Sequence, residues 1–223
     1  MSVLERIISV FAPNTCLGCG VENDLLLCGD CRQELPRVPS RCYHCRAVTD
    51  GYAVCQQCAG RTALRQVLVY THHQSLAKEL LHRMKYERAQ AGIHEAAAMM
   101  AGLMAHLPEA AVVVHIPTAT SRVRARGYDH ARVLARSLAR KSGLRHETLL
   151  SRVGQAHQVG ANRAERLRQL DGAFRPVRTR LIRGRHIVLV DDVLTTGASL
   201  ETAARVLRRA GAARVSAIVF AQA

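Results

Sequence analysis

The segment HIVLVDDVLTTGASL, residues 186–200, sets two adjacent carboxylates, Asp191 and Asp192, directly behind four apolar residues, 187–190. Three hydroxyls (Thr195, Thr196 and Ser199), Gly197 and Ala198 follow at once. A short, unbroken, β-branched apolar run reads as a strand buried on both faces of a parallel sheet. Ligands of such sheets bind beyond the C-terminal strand ends. The loop 195–199 then offers backbone N–H groups and hydroxyls at a helix N-terminus, which suits a phosphate. Gly197 permits a positive φ or a close backbone approach. Two vicinal acids beside an anion site are electrostatically unfavourable, unless they accept hydrogen bonds from sugar hydroxyls and the ligand brings a divalent cation. The combined demand is for a sugar phosphate, specifically a ribose 5-phosphate. A plain helix cap accounts for one hydroxyl, not for an acid pair, three hydroxyls and a glycine. The segment has no Gly-Lys-Ser/Thr and is therefore not a Walker A loop.

The second constellation is made of thiols. The eight cysteines form four C-x-x-C pairs: Cys16/Cys19, Cys28/Cys31, Cys42/Cys45 and Cys55/Cys58. Two residues between thiolates let a tight turn aim both sulfurs at one ion, and two such turns complete a tetrahedral S₄ site that suits zinc. Eight thiolates make two structural zinc sites. A disulfide framework would need an oxidising compartment, and four consecutive pairs do not fit a single redox dithiol. The similar gaps within the first two pairs and within the last two favour two successive zinc ribbons, while a cross-brace, with alternate pairs sharing an ion, would fit the same spacings. His44, inside the third pair, reads as a surface histidine beside a full set of cysteines. So short a segment has little core of its own, and the metal would supply much of its folding free energy.

These groups need a frame. The run VLVY, 67–70, reads as a strand. Leu76, Leu80, Leu81 and Met84 recur at helical spacing over 75–87. A second helix is expected over about 92–106, ended by Pro108. VVVHIP, 112–117, reads as a further buried strand, followed by a loop over 118–122 and helical spacing over 123–140. Residues 151–172 are polar and Arg-rich, as befits a loop over the site. The expected architecture is α/β: a small cysteine module over residues 1–62, then a parallel-sheet domain over 63–223. Residues 3–11 have the pattern of a short amphipathic helix. Glu5 and Arg6 interrupt that apolar stretch and no small-residue cleavage site follows, so the expected location is the cytoplasm.

VLVDDVLTTGAS resembles the phosphoribosyl-pyrophosphate (PRPP) motif of type I phosphoribosyltransferases. The resemblance implies that Asp191 and Asp192 hold the ribose 2′- and 3′-hydroxyls as the catalytic pair. It also implies that Thr195, Thr196, Gly197, Ala198 and Ser199 hold the 5′-phosphate, and that magnesium accompanies PRPP. With the four C-x-x-C pairs, Lys85-Tyr86, IPTATSRVRARGYDHA (116–131) and QVGANRAERLRQLDGAF (158–174), nearly the whole chain resembles the ComF family, which includes competence proteins and GntX-like proteins. Members commonly carry Arg-Gly-Phe-Asn-Gln where this chain has residues 126–130, and a second proline where Thr118 stands. On this resemblance Thr118 and the loop to Arg122 face pyrophosphate. Arg122, Arg124 and Arg126 lie close enough in sequence to meet it, with Arg126 preferred because it falls inside the motif. Lys85 joins the site by family position, and Arg163 or Arg166 would reach over the ligand as a lid. The implied reaction displaces pyrophosphate from ribose C1 through an oxocarbenium-like transition state.

Composition bounds the partners. The 223 residues include 32 Lys+Arg against 17 Asp+Glu, a net charge of +15, and Arg carries most of it. Such a surface attracts polyanions. The longest apolar stretches, such as 96–105, are about half the ~20 residues a membrane helix needs. Three functions remain open. The resemblance implies a role in DNA uptake during natural transformation, with single-stranded DNA and uptake-machinery proteins as partners. Tyr43 and Tyr52, with Arg37, Arg41 and Arg46 nearby, are the best available surface for that strand. Against it, aromatics make up only 4% and Trp is absent, so stacking platforms are few. The second function is a phosphoribosyltransferase of nucleobase salvage. The third is a PRPP sensor that regulates a partner.

Overall fold

The computed structural model describes residues 14–86, 90–153 and 172–223. The helix expected over 3–11 and the lid arginines Arg163 and Arg166 lie outside these residues. Five strands form one parallel sheet: β3 (Val67–His72), β4 (Val112–His115), β5 (Arg145–His146), β8 (His186–Leu194) and β9 (Arg214–Gln222), in the order β3-β9-β8-β4-β5. Two short antiparallel pairs lie outside it: β1 (Asn14–Thr15) with β2 (Glu22–Asn23), and β6 (Leu150–Arg152) with β7 (Phe174–Pro176).

Period-2 alternation divides the strands between two cores. Leu68, Tyr70, Val188, Val190 and Phe220 face one core, filled by α3 (Ser75–Tyr86), α4 (Gln90–Ala101) and α6 (His130–Lys141). Val67, Val69, Ile187, Leu189 and Val219 face the other, covered by α7 (Ala198–Arg209). The cysteine module, with its short helices α1 (Gly29–Gln33) and α2 (Gln56–Ala59), contributes to both. Leu26, Leu27 and Leu35 lie in the first core, and Val38 and Tyr43 in the second. The module also caps the exposed edge of β3 through a bridge between Arg37 and Thr71, which removes an edge open to aggregation.

Four expected elements differ in extent. The helix expected over 92–106 is α-helical only over Gln90–Ala101, then tightens into a 3₁₀ turn, Gly102–His106. The helix expected over 123–140 is two helices, α5 (Thr120–Arg126) and α6. Gly127 ends the first at φ +82°, and the Asp129 carboxylate caps the second by accepting from Arg132 N. The strand expected over 112–117 stops at His115. The strand expected to end at 190 runs on to Leu194, because β9 keeps pairing through Asp191↔Val219 and Leu194↔Gln222. Among the described residues no helix is long and apolar enough to cross a membrane.

Candidate functional site

The strand order makes one crevice. From β4 the chain turns to α5 and α6 on one face; from β8 it turns to α7 on the opposite face. The loops after these two neighbouring strands diverge, and the gap lies at their C-terminal ends, where open α/β sheets bind ligands. Pairing of β4 with β8 ends at His115↔Val190. The next two residues of β8, Asp191 and Asp192, are paired on one side only and border the gap.

The resulting cleft encloses about 190 Å³. Asp191, Asp192, Ser199, Thr118, Arg122, Arg126 and Lys85, all singled out in the sequence, line it together. Thr195, Thr196, Gly197 and Ala198 form the adjoining loop rather than the cleft wall. There Gly197 stands at φ +74° as the N-cap of α7, and Thr196 Oγ1 accepts from Ala198 N at 3.4 Å. Arg124, which the charge pattern also put forward, is not among the lining residues. His130 and Arg152 line the cleft without having been singled out.

The two acids are not equivalent. Asp192 forms an ion pair with Lys85, and His130 Nε2 lies 3.2 Å from the same oxygen. An arginine only donates, so His130 Nδ1, 3.0 Å from Arg126 Nη1, is the acceptor and Nε2 carries the proton toward Asp192. Burial alone would raise Asp192, but the His130 hydrogen bond and the Lys85 ammonium hold it well below the usual carboxylate range. Asp191 is pushed the other way, by burial first and by the Asp192 charge second. One acid is thus held ionised while its neighbour keeps a proton more readily, an arrangement that a divalent cation or a set of hydroxyl donors would rebalance.

The opposite wall is cationic. Burial and the neighbouring Arg122 lower Arg152, with Asp191 opposing. Arginines crowded in this way are stabilised by an anion placed between them. Thr118 lines the cleft and is also tied to the next turn: its hydroxyl donates to Asp129 Oδ1 at 2.8 Å and its amide to Oδ2 at 3.4 Å. Asp129 therefore fixes the loop after β4 as well as capping α6. The Tyr128 hydroxyl donates to Met84 O and fastens the same turn to the end of α3, beside Lys85.

The cysteines gather as Cys16/Cys19/Cys28/Cys31 and Cys42/Cys45/Cys55/Cys58, with the sulfurs of each set within 4.8 Å of one another. The order is successive, and the cross-brace is excluded. All eight are free thiols. Burial opposes ionisation of Cys16 and Cys42, yet backbone N–H groups aimed at each sulfur draw both down to about 6. Burial and neighbouring sulfurs push Cys58 up to about 12. At Gly18 a Cβ would stand 2.5 Å from Cys31 Sγ, so the turn between Cys16 and Cys19 admits only glycine. Four convergent sulfurs with amide donors behind them fit a tetrahedral thiophilic ion such as zinc.

A parallel sheet with a crevice at its C-terminal strand ends is the α/β arrangement that binds ligands there, and the match of residues 86–223 to the family model described as "Phosphoribosyl transferase domain" places the chain in that class. Curated relatives extend the match over the cysteine module. The chain is 31% identical over 209 residues to "Competence protein ComFC" of Bacillus subtilis, covering 88% of this chain and 84% of that protein. It is 30% identical to "DNA utilization protein YhgH" of Salmonella typhi (85% and 87% covered). It is 27% identical to "Competence protein F" of Haemophilus influenzae (83% and 85%). The chain belongs to the ComF family of competence proteins, with a phosphoribosyl transferase domain.

Proposed function

We propose that the cleft binds PRPP with magnesium, and that the protein works in the cytoplasm in DNA uptake during natural transformation, with single-stranded DNA and proteins of the uptake machinery as partners. The observation that carries the ligand reading is the meeting of an acid pair with Arg122, Arg126 and Arg152 at the divergence of β4 and β8, beside the loop 195–199. In this reading Asp191 and Asp192 accept from the ribose 2′- and 3′-hydroxyls. The loop amides and the N-terminus of α7 hold the 5′-phosphate. Thr118 and the three arginines meet the pyrophosphate, and Lys85 and His130 keep Asp192 oriented and ionised. Magnesium bound with the ligand would neutralise the diphosphate charge beside the acid pair. The cysteine clusters hold two zinc ions.

The nucleic-acid reading rests on the relatives' names and on a second cavity. About 490 Å³ lies between the second cysteine cluster and the ends of β3 and β9, lined among others by Arg41, Tyr43, Arg46, Tyr52 and His72. Arg41 and Arg46 beside the half-buried Tyr52 ring suit a phosphate backbone with an unstacked base, whereas Tyr43 is buried with its hydroxyl bonded to Glu201.

Calorimetry with PRPP and magnesium chloride tests the ligand. Heat of binding is expected for the native chain and none for Asp191→Ala/Asp192→Ala; no heat with the native chain overturns the proposal. Single-stranded oligonucleotide binding should weaken steeply with added salt. The second reading, a working transferase of nucleobase salvage, is favoured by the completeness of the pyrophosphate wall. It requires pyrophosphate release from PRPP with a base, as the C1–O bond breaks with its electron pair on the leaving oxygen and the base nitrogen bonds C1. Ligand binding without release under any base excludes it.

A further inference from the structure

Tyr43 follows Cys42 and stands between the second cysteine cluster and the loop 195–199. A Cβ on Gly197 would lie 3.4 Å from its ring, so the loop backbone packs directly on the tyrosine. Its hydroxyl donates to Glu201 Oε2 at 2.8 Å. Glu201 is 4% exposed, and its amide donates to Gly197 O at 2.9 Å in the first turn of α7. Its other oxygen accepts from Ala63 N at 2.7 Å and Arg205 Nε at 3.3 Å. One buried carboxylate in the helix that carries the loop is therefore bonded both to the turn just after Cys42 and to Ala63, a few residues after Cys58. The first cluster is tied elsewhere. Leu26 N and Leu27 N donate to Glu95 of α4, on the other face of the sheet.

We infer that Tyr43 and Glu201 are positioning residues that make the grip of the loop 195–199 on a sugar phosphate depend on the metal held by Cys42, Cys45, Cys55 and Cys58, and not on the metal of the first cluster. The inference deepens the PRPP reading and rests on it. The turn carrying Tyr43 spans only Cys42 to Cys45. With four sulfurs gathered on one ion its course is fixed; without the ion nothing joins the four sulfurs, and little local core replaces it. Losing that course withdraws the ring from Gly197 and the hydroxyl from Glu201. Binding linkage is reciprocal, so a sugar phosphate seated on the loop must strengthen metal binding at the second cluster by the same factor.

The test is equilibrium competition of the zinc-loaded protein against a chromogenic zinc chelator, with and without PRPP and magnesium, beside calorimetry of PRPP on the same samples. In the native chain PRPP should tighten one of the two zinc ions about ten-fold, within the ordinary range of coupling between sites, and leave the other unchanged. Tyr43→Phe keeps the ring against Gly197 and removes only the hydroxyl; with Glu201→Gln it should abolish the tightening and weaken PRPP several-fold, while both ions stay bound. Glu95→Gln, which alters only the tie to the first cluster, should retain the tightening. PRPP heat in the native chain with zinc affinities unmoved overturns the link, as does tightening that survives in Tyr43→Phe or is lost only in Glu95→Gln. The absence of PRPP heat overturns the site reading, and the link with it.

Discussion

Asp191 and Asp192 are adjacent and have the same charge, yet replacing each with asparagine should move stability in opposite directions. Asp192→Asn removes the counter-charge of Lys85, whose side chain is 20% exposed, and the carboxylate facing His130, in a pair whose acid is 10% exposed. Breaking a largely buried pair from one side costs roughly 3–5 kcal/mol. Asp191 also feels the Lys85 charge and takes over part of the pairing, which places the loss near the low end, about 3 kcal/mol. A chain of this size shifts by about 2–4 °C per kcal/mol, so the midpoint should fall by about 6–12 °C. Asp191→Asn relieves burial of a charge beside a like charge, and the asparagine oxygen can still accept the Asp192 amide, now 2.9 Å from Asp191 Oδ1.

The pH dependence follows from the raised native value of Asp191. Between its ordinary value of 3.8 and that raised value, the native state binds more proton than the unfolded chain. The group therefore costs stability as pH rises through this window. The advantage of Asp191→Asn over the native chain should grow with rising pH and vanish below about pH 3.8. Urea melts of the three proteins between pH 4 and 8 read this directly, while PRPP binding should be lost in both variants. If Asp191→Asn melts below the native chain at pH 7.5, or both variants fall equally, the asymmetric electrostatics derived for the pair are wrong.

Burial presses His146 and His186 to about 4, with His115 and Arg214 respectively adding to it, so both rings favour the neutral form in the fold. Their stabilisation is full above the unfolded value of about 6.5 and is lost as pH falls toward 4. The full shift is worth about 3 kcal/mol per ring, and partial solvent exposure cuts that by roughly half. Stability from urea melts should therefore drop by roughly 2 kcal/mol between pH 7.5 and 5, and His146→Asn should flatten part of the slope. Gly197→Ala puts a side chain at φ +74°, in contact with Leu194 and Tyr43; it should cost about 1 kcal/mol and weaken PRPP binding, read by a thermal shift with ligand. Chelating both metals should release Leu26, Leu27, Val38 and Tyr43 from the two cores and broaden the melt, whereas an unchanged, sharp transition would show that the module holds without metal.

What was legible in the sequence was local. The C-x-x-C turns and the strand–acid–hydroxyl–glycine run are set by spacings of a few residues, and the fold gathers the thiols into two sets of four and brings both acids and Ser199 to one cleft. The similar gaps between the turns favoured successive pairing, which the structure shows, although only the path between turns excludes the cross-brace. The run of β8 past Asp192 was missed because it is imposed by β9 from one side. The break between α5 and α6 was missed because the Arg-rich pattern continues across Gly127, although glycine followed by a capping Asp129 signals such a break. His130 reaches Asp192 from another element. Arg152 stands at the end of a three-residue strand whose partner, β7, lies more than twenty residues on. Arg152 had no neighbouring pattern to mark it, and His130, although inside the motif 116–131, stands where the family commonly carries a different residue.

The site's two walls belong to opposite faces of the sheet, and each face holds one cysteine ribbon. On the Lys85 side a Cβ at Gly92 of α4 would stand 2.9 Å from Leu26 and 3.3 Å from Leu80 of α3. The first ribbon, α4 and the helix that carries Lys85 thus pack as one body. On the other side Tyr43 of the second ribbon packs on Gly197 and bonds to Glu201 of α7. A ligand that spans Asp192 and the loop 195–199 bridges the two bodies across the gap left where β4 stops. On the reading proposed above, the second ribbon then sets the distance between the acid pair and the loop 195–199, while the first ribbon packs with the wall that carries Lys85.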